Sequence, residues 1–390
     1  MSTALRVARL FDGEQWLRQQ WLLIEHGQVS ALRADRGEPP QADTLIDLPD
    51  GFRAPGFIDL QVNGGGGVLL NNQPDAAGVR RMVAAHRATG TTAMLPTLIS
   101  DTPAVHRAGV AAVRAAQDAG EAGVLGVHIE GPFFALERRG THREGFLRPP
   151  SAEDIDWLAG LGAQLTTVLT AAPEQLPAGA IARLSAAGVL VCAGHTNATW
   201  EQIAAARAEG LRGFTHLYNA MSPLVAREPG TVGAALLAGD CWAGIIADGH
   251  HVHAQSIRLA HRLLPRGRLC LVTDAMATVG GDRDWFELYG ERIALRDGRL
   301  VNAEGALAGS AIGMIDALRY CHRTVDLALE ECLRMAATYP AAFLRQQHRL
   351  GRIAPGDRAD FVRLDTELRV LDTWVAGVRE SHRPSNPDSP

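Results

Sequence analysis

Short apolar stretches typical of β-strands alternate with alanine-rich stretches typical of helices over most of this chain, and this alternation constrains the fold more than any other feature. It is the pattern of consecutive βα units, which build parallel sheets. About eight apolar stretches occur, the number that closes a (β/α)8 TIM-like barrel. They lie near residues 57–61, 92–97, 124–130, 165–171, 189–194, 212–216, 243–247 and 269–274. An open, doubly wound α/β sheet would give the same alternation.

The two ends of the chain have a different pattern. Residues 1–54 alternate apolar and polar positions around turn residues, which is typical of short antiparallel strands. Residues 351–380 again have a pattern typical of short strands and turns. We therefore expect both ends to form one small β-sandwich domain beside a barrel of residues 55–350. The polar, proline-rich tail of residues 381–390 is expected to be disordered.

Composition and charge narrow the possible partners. The 390 residues are 46% hydrophobic and 21% charged, which suits one large core with a smaller accessory domain. A formal net charge of -5 and scattered arginines argue against a nucleic-acid partner. No apolar stretch approaches the roughly 20 residues that a membrane-spanning helix needs. The five widely spaced cysteines, without a CxxC pair, favour the reducing cytoplasm.

The sequence contains no lysine, so every Lys or Arg position is an arginine. This excludes Schiff-base chemistry and P-loop phosphate binding, because both require a lysine side chain. It also excludes a pair of metal ions bridged by a carboxylated lysine.

Ionisable side chains stand where four of the predicted strands end. Glu130, His195, His216 and Asp274 each follow one of the apolar stretches. The active site of a barrel lies at the C-terminal ends of its strands, so these four side chains should converge. A single histidine at such a position is more often an ordinary loop residue, but all four together indicate a site. One carboxylate and two imidazoles suit a catalytic zinc with an open position, which leaves Asp274 as a base.

These residues lie within longer segments that occur in a characteristic order. The segments are Pro55–Gly64, His128–Pro132, Gly194–Ala198, Thr215–Met221, Arg227–Gly230, Ile246–Val252, Val272–Ala275 and Leu307–Ser310. Through them the chain resembles the N-acetylglucosamine-6-phosphate deacetylases of the amidohydrolase superfamily. The combination is specific, although each short segment alone would be weak.

The resemblance implies a role for each matching residue. Glu130, His195 and His216 would bind one divalent metal per subunit, with zinc favoured over iron, cobalt or manganese. Asp274 would be the catalytic acid and base, and His142 would polarise the acetyl carbonyl. The residues implied in substrate binding are His142 with Gln61, Asn219, Ala220, Arg227, His251, Leu307, Ala308, Gly309 and Ser310. The resemblance also implies a homodimer, in which Arg227 reaches the phosphate in the neighbouring site.

One segment departs from the wider superfamily. Where many amidohydrolases carry His-x-His after the first barrel strand, this chain has Gln61-Val62-Asn63. An amide is a poor metal ligand beside an imidazole, and no lysine can be carbamylated. Both observations favour one tightly held metal over two.

The expected reaction is hydrolysis of N-acetyl-D-glucosamine 6-phosphate to D-glucosamine 6-phosphate and acetate. Three alternatives stay open: the N-acetylgalactosamine 6-phosphate epimer or another N-acyl amino sugar, a cyclic-amide hydrolase, and an inactive binding protein. The missing lysine and histidine pair disfavours the second, and the intact ligand set disfavours the third. His128 is expected to be a buried, hydrogen-bonded barrel residue, and His86 and His106 to be surface residues.

Overall fold

The computed structural model describes residues 2–382. Its strands, in chain order, are β1 Ser2–Phe11, β2 Trp16–Glu25, β3 Gln28–Ala34, β4 Thr44–Asp47, β5 Phe52–Pro55, β6 Phe57–Val62, β7 Gly64–Gly65, β8 Val68–Leu69, β9 Thr91–Ile99, β10 Val127–Glu130, β11 Thr167–Ala171, β12 Leu190–Ala193, β13 Gly213–Phe214, β14 Trp242–Ile246, β15 Leu269–Val272, β16 Trp285–Leu288, β17 Glu291–Arg296, β18 Arg299–Val301, β19 Phe361–Leu364, β20 Val370–Val375 and β21 Val378–Ser381. The α-helices are α1 Ala76–Arg87, α2 Pro103–Asp118, α3 Ala152–Gly162, α4 Ala180–Ala186, α5 Trp200–Ala208, α6 Gly230–Leu237, α7 Ala254–Leu263, α8 Met314–Arg323, α9 Leu329–Ala336 and α10 Thr338–Phe343.

Eight parallel strands form the barrel, in the order β6-β9-β10-β11-β12-β13-β14-β15. Each contains part of one of the eight predicted stretches, so the barrel prediction is confirmed and the open-sheet alternative is wrong. The two edge strands meet just beyond β15. The Asp274 backbone N donates to the Gln61 carbonyl at 3.0 Å, and the Asn63 backbone N donates to the Ala275 carbonyl at 2.9 Å. These hydrogen bonds bring the first and eighth strands together at the barrel mouth.

The helices begin at residues that cap them well. Ser151 and Thr199 each form a capping box at the start of α3 and α5. Along α1, Val79, Met82, Val83 and His86 recur at helical spacing and are buried on the barrel side. No helix within residues 2–382 combines the length and apolarity needed to cross a lipid bilayer.

Two histidines predicted on the surface are buried instead. His86 is 0% exposed and its Nε2 lies 2.8 Å from the Gly64 carbonyl. His106 is 4% exposed and its Nε2 lies 3.0 Å from the Ile99 carbonyl. The prediction was wrong because Nε2 of each ring pairs with a carbonyl at or just beyond the C-terminal end of a barrel strand, which an alanine-rich composition does not reveal. His128 is buried as expected, with Nε2 2.7 Å from Thr170 Oγ1.

The two chain ends build one small β domain. Its eight strands lie in a single mixed sheet of order β21-β20-β19-β5-β1-β2-β3, with β4 paired to β1. Its core includes the stacked rings of Phe361 and Trp374, whose centroids are 4.5 Å apart. Ser381 belongs to β21, and the His382 backbone N donates to the Leu371 carbonyl at 2.9 Å, so order extends into the tail predicted as disordered. Residues 383–390 lie outside the described residues.

A three-stranded meander of β16, β17 and β18 follows the eighth barrel strand and was not predicted. Its Phe286 and Ile293 share a buried cluster with Leu69, Ile99 and Met276 from the C-terminal side of the barrel. The meander therefore covers part of the barrel mouth, beside the four convergent side chains.

Candidate active site

Three buried side chains meet at the C-terminal ends of the barrel strands. Glu130 ends β10, while His195 and His216 stand two residues beyond β12 and β13. Glu130 Oε1 lies 3.3 Å from His195 Nε2 and 3.1 Å from His216 Nε2, and the two Nε2 atoms are 3.1 Å apart. Ligand atoms of a tetrahedral zinc, with bonds of about 2.0–2.2 Å, lie about 3.3–3.6 Å apart. The three atoms are therefore arranged to fit one small divalent cation.

The tautomer of His195 also suits a ligand. Its Nδ1 lies 2.8 Å from the Arg138 carbonyl, which can only accept a hydrogen bond. Nδ1 therefore carries the proton, and the lone pair of Nε2 points toward Glu130 and His216. Burial lowers the pKa of His195, which keeps the ring neutral. The Phe134 ring stacks on His195 at 4.2 Å and fixes its plane.

Asp274 stands beside this cluster and is held by two amides. Its Oδ1 accepts hydrogen bonds from Asn63 Nδ2 at 2.6 Å and from Gln61 Nε2 at 3.0 Å. Gln61 Nε2 also lies 3.0 Å from Glu130 Oε1. Burial, and then the charge of Glu130, raise the pKa of Asp274 to about 6. Gln61 and Asn63 thus direct N–H groups at the two carboxylates.

His142 brings a further polar group to the site. Its ring is edge-on to Phe134, with centroids 4.9 Å apart, and contacts His195 at 4.6 Å. Burial, and then His195, lower the pKa of His142 to about 3, so the imidazole is neutral near neutral pH. A neutral imidazole can donate one hydrogen bond to a substrate carbonyl.

Most of the predicted site residues line one cavity of about 180 Å³. Those residues are Glu130, His142, His195, His216, Asn219, Ala220, His251, Asp274, Leu307 and Gly309. Ile99, Gly140, Thr141, Ile246 and Met276 complete the lining and were not predicted. The cavity combines the candidate metal cluster, the Asp274 carboxylate, and polar groups suited to a small polar substrate.

His251 is held in place by Asp248. Asp248 Oδ2 lies 2.6 Å from His251 Nδ1, and Oδ1 accepts the backbone N–H groups of His250 and His251 at 2.8 Å. Burial alone would raise the pKa of Asp248, but these hydrogen bonds outweigh burial and lower it. The Asp248 carboxylate can only accept, so Nδ1 of His251 carries a proton, and Nε2 would donate to an anion in the imidazolium form of the ring.

Four predicted substrate residues lie outside the cavity lining. Gln61 lies behind Glu130 and Asp274. Ala308 is 0% exposed beneath the meander, and the Ser310 hydroxyl donates to the Thr273 carbonyl at 2.6 Å. Arg227 is exposed on the loop before α6, away from the cavity of its own chain.

The architecture and the cluster together define a TIM-like barrel protein with a candidate metal centre at the C-terminal ends of the strands. Residues 52–386 match the model of the amidohydrolase family. A relative from Shewanella sp. (strain ANA-3), "N-acetylgalactosamine-6-phosphate deacetylase", is 42% identical over 85% of this chain and 83% of its own length. The "N-acetylglucosamine-6-phosphate deacetylase" of Vibrio furnissii is 33% identical over 95% of this chain and 93% of its own.

A solved structure gives the same result. The crystal structure of N-acetylglucosamine-6-phosphate deacetylase from Pasteurella multocida superposes with a TM-score of 0.93 and 34% identity, over 98% of this chain and 100% of that chain. The chain belongs to the amidohydrolase family, in the branch that includes the N-acetylglucosamine-6-phosphate and N-acetylgalactosamine-6-phosphate deacetylases.

Proposed function

We propose that this protein hydrolyses the N-acetyl amide of N-acetyl-D-glucosamine 6-phosphate and releases acetate and D-glucosamine 6-phosphate. The observation that carries the proposal is the single cavity that holds Glu130, His195 and His216 next to Asp274. Relatives with this activity cover almost the whole chain. The reaction is amide hydrolysis, for which the cavity supplies a cation site, a base and a carbonyl donor.

The ligand set fits one divalent cation, and we infer zinc because two imidazoles and one carboxylate are ligands that zinc favours. Iron, cobalt and manganese are the alternatives. When bound, such an ion would polarise the amide carbonyl and lower the pKa of water. His195 is prepared for this role by its Nδ1–H bond to Arg138, which leaves Nε2 unprotonated.

Asp274 would move the proton. Its carboxylate accepts the proton of the attacking water as the C–O bond forms. The same group returns that proton to the sugar nitrogen as the C–N bond breaks, since an amine leaves an amide poorly unless it is protonated. The amides of Gln61 and Asn63 hold Oδ1, so the carboxylate keeps one orientation during both transfers.

The phosphate would lie at the other end of the cavity, near His251, Asn219 and Ala220. An unpaired dianion in a closed site is costly, so it needs cationic partners. His251, oriented by Asp248, supplies one in its imidazolium form. The exposed Arg227 supplies the second in a homodimer, by entering the site of the neighbouring subunit; this loop also exposes Leu224 and Val225, as expected of a subunit contact.

A second candidate substrate is N-acetyl-D-galactosamine 6-phosphate, because the 42% identical relative bears that activity in its name. Acetate release should be measured with both epimeric phosphates, and kcat/KM compared, since specificity is the ratio of these values. A higher kcat/KM for the glucosamine epimer supports the first reading and a higher value for the galactosamine epimer the second. Failure to hydrolyse either would refute the proposal.

We also infer a cytoplasmic enzyme, because all five cysteines are buried and unpaired.

A further inference from the structure

The hydrogen bonds of His142 fix its tautomer. Its Nδ1 lies 3.3 Å from the Ser100 backbone N, which donates to it, and 2.8 Å from Ser100 Oγ. A backbone N–H can only donate, so Nδ1 must carry a lone pair. The single proton of a neutral imidazole is then on Nε2. Ser100 thus selects the tautomer that has a donor at Nε2.

The Nε2 side of His142 faces the cavity. His142 lines the cavity together with Glu130 and Asp274, and its Nε2 has no hydrogen-bond partner within residues 2–382. Phe134 and His195 pack against the ring and hold its orientation. In this arrangement Nε2–H can donate to an acyl oxygen, whereas the other tautomer would present a lone pair to that oxygen and repel it.

Ser100 is in turn held by a residue from the meander. Ser100 is 0% exposed, and its carbonyl accepts a hydrogen bond of 2.5 Å from the hydroxyl of Tyr289. Tyr289 and Gly290 form the two-residue turn between β16 and β17, with φ angles of 54° and 82°. Such turns favour asparagine and glycine, and a bulky residue with positive φ is unusual. The strained position of Tyr289 points to a role for its side chain.

The base of this turn packs against the end of β9, next to Ser100. Leu288, immediately before Tyr289, belongs to the buried cluster that also contains Ile99, immediately before Ser100. The Tyr289 ring also contacts Phe146, with centroids 5.5 Å apart. Tyr289 and Ser100 are therefore joined both by a hydrogen bond and by the packing of their neighbours.

We propose that Tyr289 is a positioning residue for hydrolysis: through Ser100 it holds His142 as the Nε2–H tautomer that donates to the acyl oxygen. The proposal rests on the proposed function, because the acyl oxygen is the acceptor that Nε2–H would meet. Tyr289 itself does not line the substrate cavity.

Steady-state kinetics of Tyr289→Phe test the role, with Tyr339→Phe as the matched control. Tyr339, which is buried where Tyr289 is half-buried, also donates its hydroxyl hydrogen, to Glu331 at 3.0 Å, on a helix away from the cavity. We expect Tyr289→Phe to lower kcat about tenfold with KM changed less than about twofold, as for the loss of one hydrogen bond. Tyr339→Phe should keep both constants. Ser100→Ala, which keeps the backbone donor, should lower kcat by about threefold.

The ¹⁵N shifts of the His142 ring, assigned with a His142→Asn variant, report the tautomer without turnover. We expect a protonated Nε2 and a bare Nδ1 in the wild type, and a mixture of tautomers in Tyr289→Phe at unchanged metal content. A wild-type proton on Nδ1, an unchanged kcat in Tyr289→Phe, or loss of metal in that variant would overturn the proposal. If the wild type releases no acetate while its tautomer still depends on Tyr289, the proposed function fails and the positioning of His142 stands.

Discussion

Three candidate site residues at the barrel mouth have backbone conformations that non-glycine residues rarely adopt. His195, His216 and Asp274 have φ angles of 49°, 36° and 53°. Non-glycine residues in this region are uncommon, and such strain concentrates at active sites. Hydrogen bonds outside the cluster compensate, as where the Asp274 backbone N donates to the Gln61 carbonyl at 3.0 Å. All three side chains line the cavity at the barrel mouth.

Asp274→Asn should separate cation binding from proton transfer. The amide keeps the shape of the carboxylate but cannot accept a proton, while Glu130, His195 and His216 are untouched. We expect the same metal content as the wild type and a fall in kcat of about 10²–10⁴-fold. Metal analysis and acetate release measure both quantities. A variant with normal turnover would remove Asp274 from the proton-transfer role.

The pH profile follows from the raised pKa of Asp274. Burial and Glu130 raise it from its ordinary value to about 6, and the base works only when ionised. Values of kcat/KM should therefore rise with pH through about 6 and then level off. A bound cation favours the ionised carboxylate and moves this rise toward lower pH. Asn63→Ala removes a hydrogen bond that lowers this pKa, so the rise in kcat/KM should move to higher pH. A profile flat down to the ordinary Asp pKa of about 3.9 would contradict this reading.

At the scale of elements, the seam between β6 and β15 closes the barrel beneath the site. Asp59 is 0% exposed; its Oδ1 accepts the backbone N–H groups of Gln61 and Thr273 at 3.2 Å, and its Oδ2 accepts the Thr273 hydroxyl at 2.5 Å. Asp59→Ala leaves these donors unpaired and should lower the free energy of unfolding by about 2–4 kcal/mol in denaturant titrations. Asp59→Asn, which keeps an acceptor oxygen, is the control and should lose less. If Asp59→Ala were as stable as the wild type, the seam would not depend on Asp59.

The sequence predicted the elements whose signals are local. Each barrel strand is an apolar stretch, so its position was predictable to within a few residues, and the polar residues at its end followed. The meander was missed although Tyr289-Gly290 and Asp297-Gly298 stand at its turns. Its link to the site joins residues 189 positions apart, Tyr289 and Ser100, and no periodicity encodes such a contact. The burial of His86 was missed for the same reason, since its partner is the Gly64 carbonyl, 22 positions away in the chain.

The whole molecule is expected to complete each site with a residue from a second copy. In a homodimer, Arg227→Ala raises KM for the phosphorylated sugar because the neighbouring site loses its guanidinium. Mixing Arg227→Ala with Asp274→Asn should restore activity, since hybrid dimers contain one site with an intact Asp274 and a donated Arg227. Acetate release by the mixture is measured after subunit exchange, and sedimentation checks that the subunits are dimeric. If the mixture is no more active than its components, Arg227 does not act between subunits.

The central claim is that Glu130, His195 and His216 hold one cation beside Asp274. Anomalous diffraction at the absorption edge of the bound metal tests it most directly. We predict a single peak about 2.0–2.2 Å from Glu130 Oε1 and from both Nε2 atoms, with none between Gln61 and Asn63. A peak elsewhere in the barrel, or a second peak at the two amides, would contradict the account.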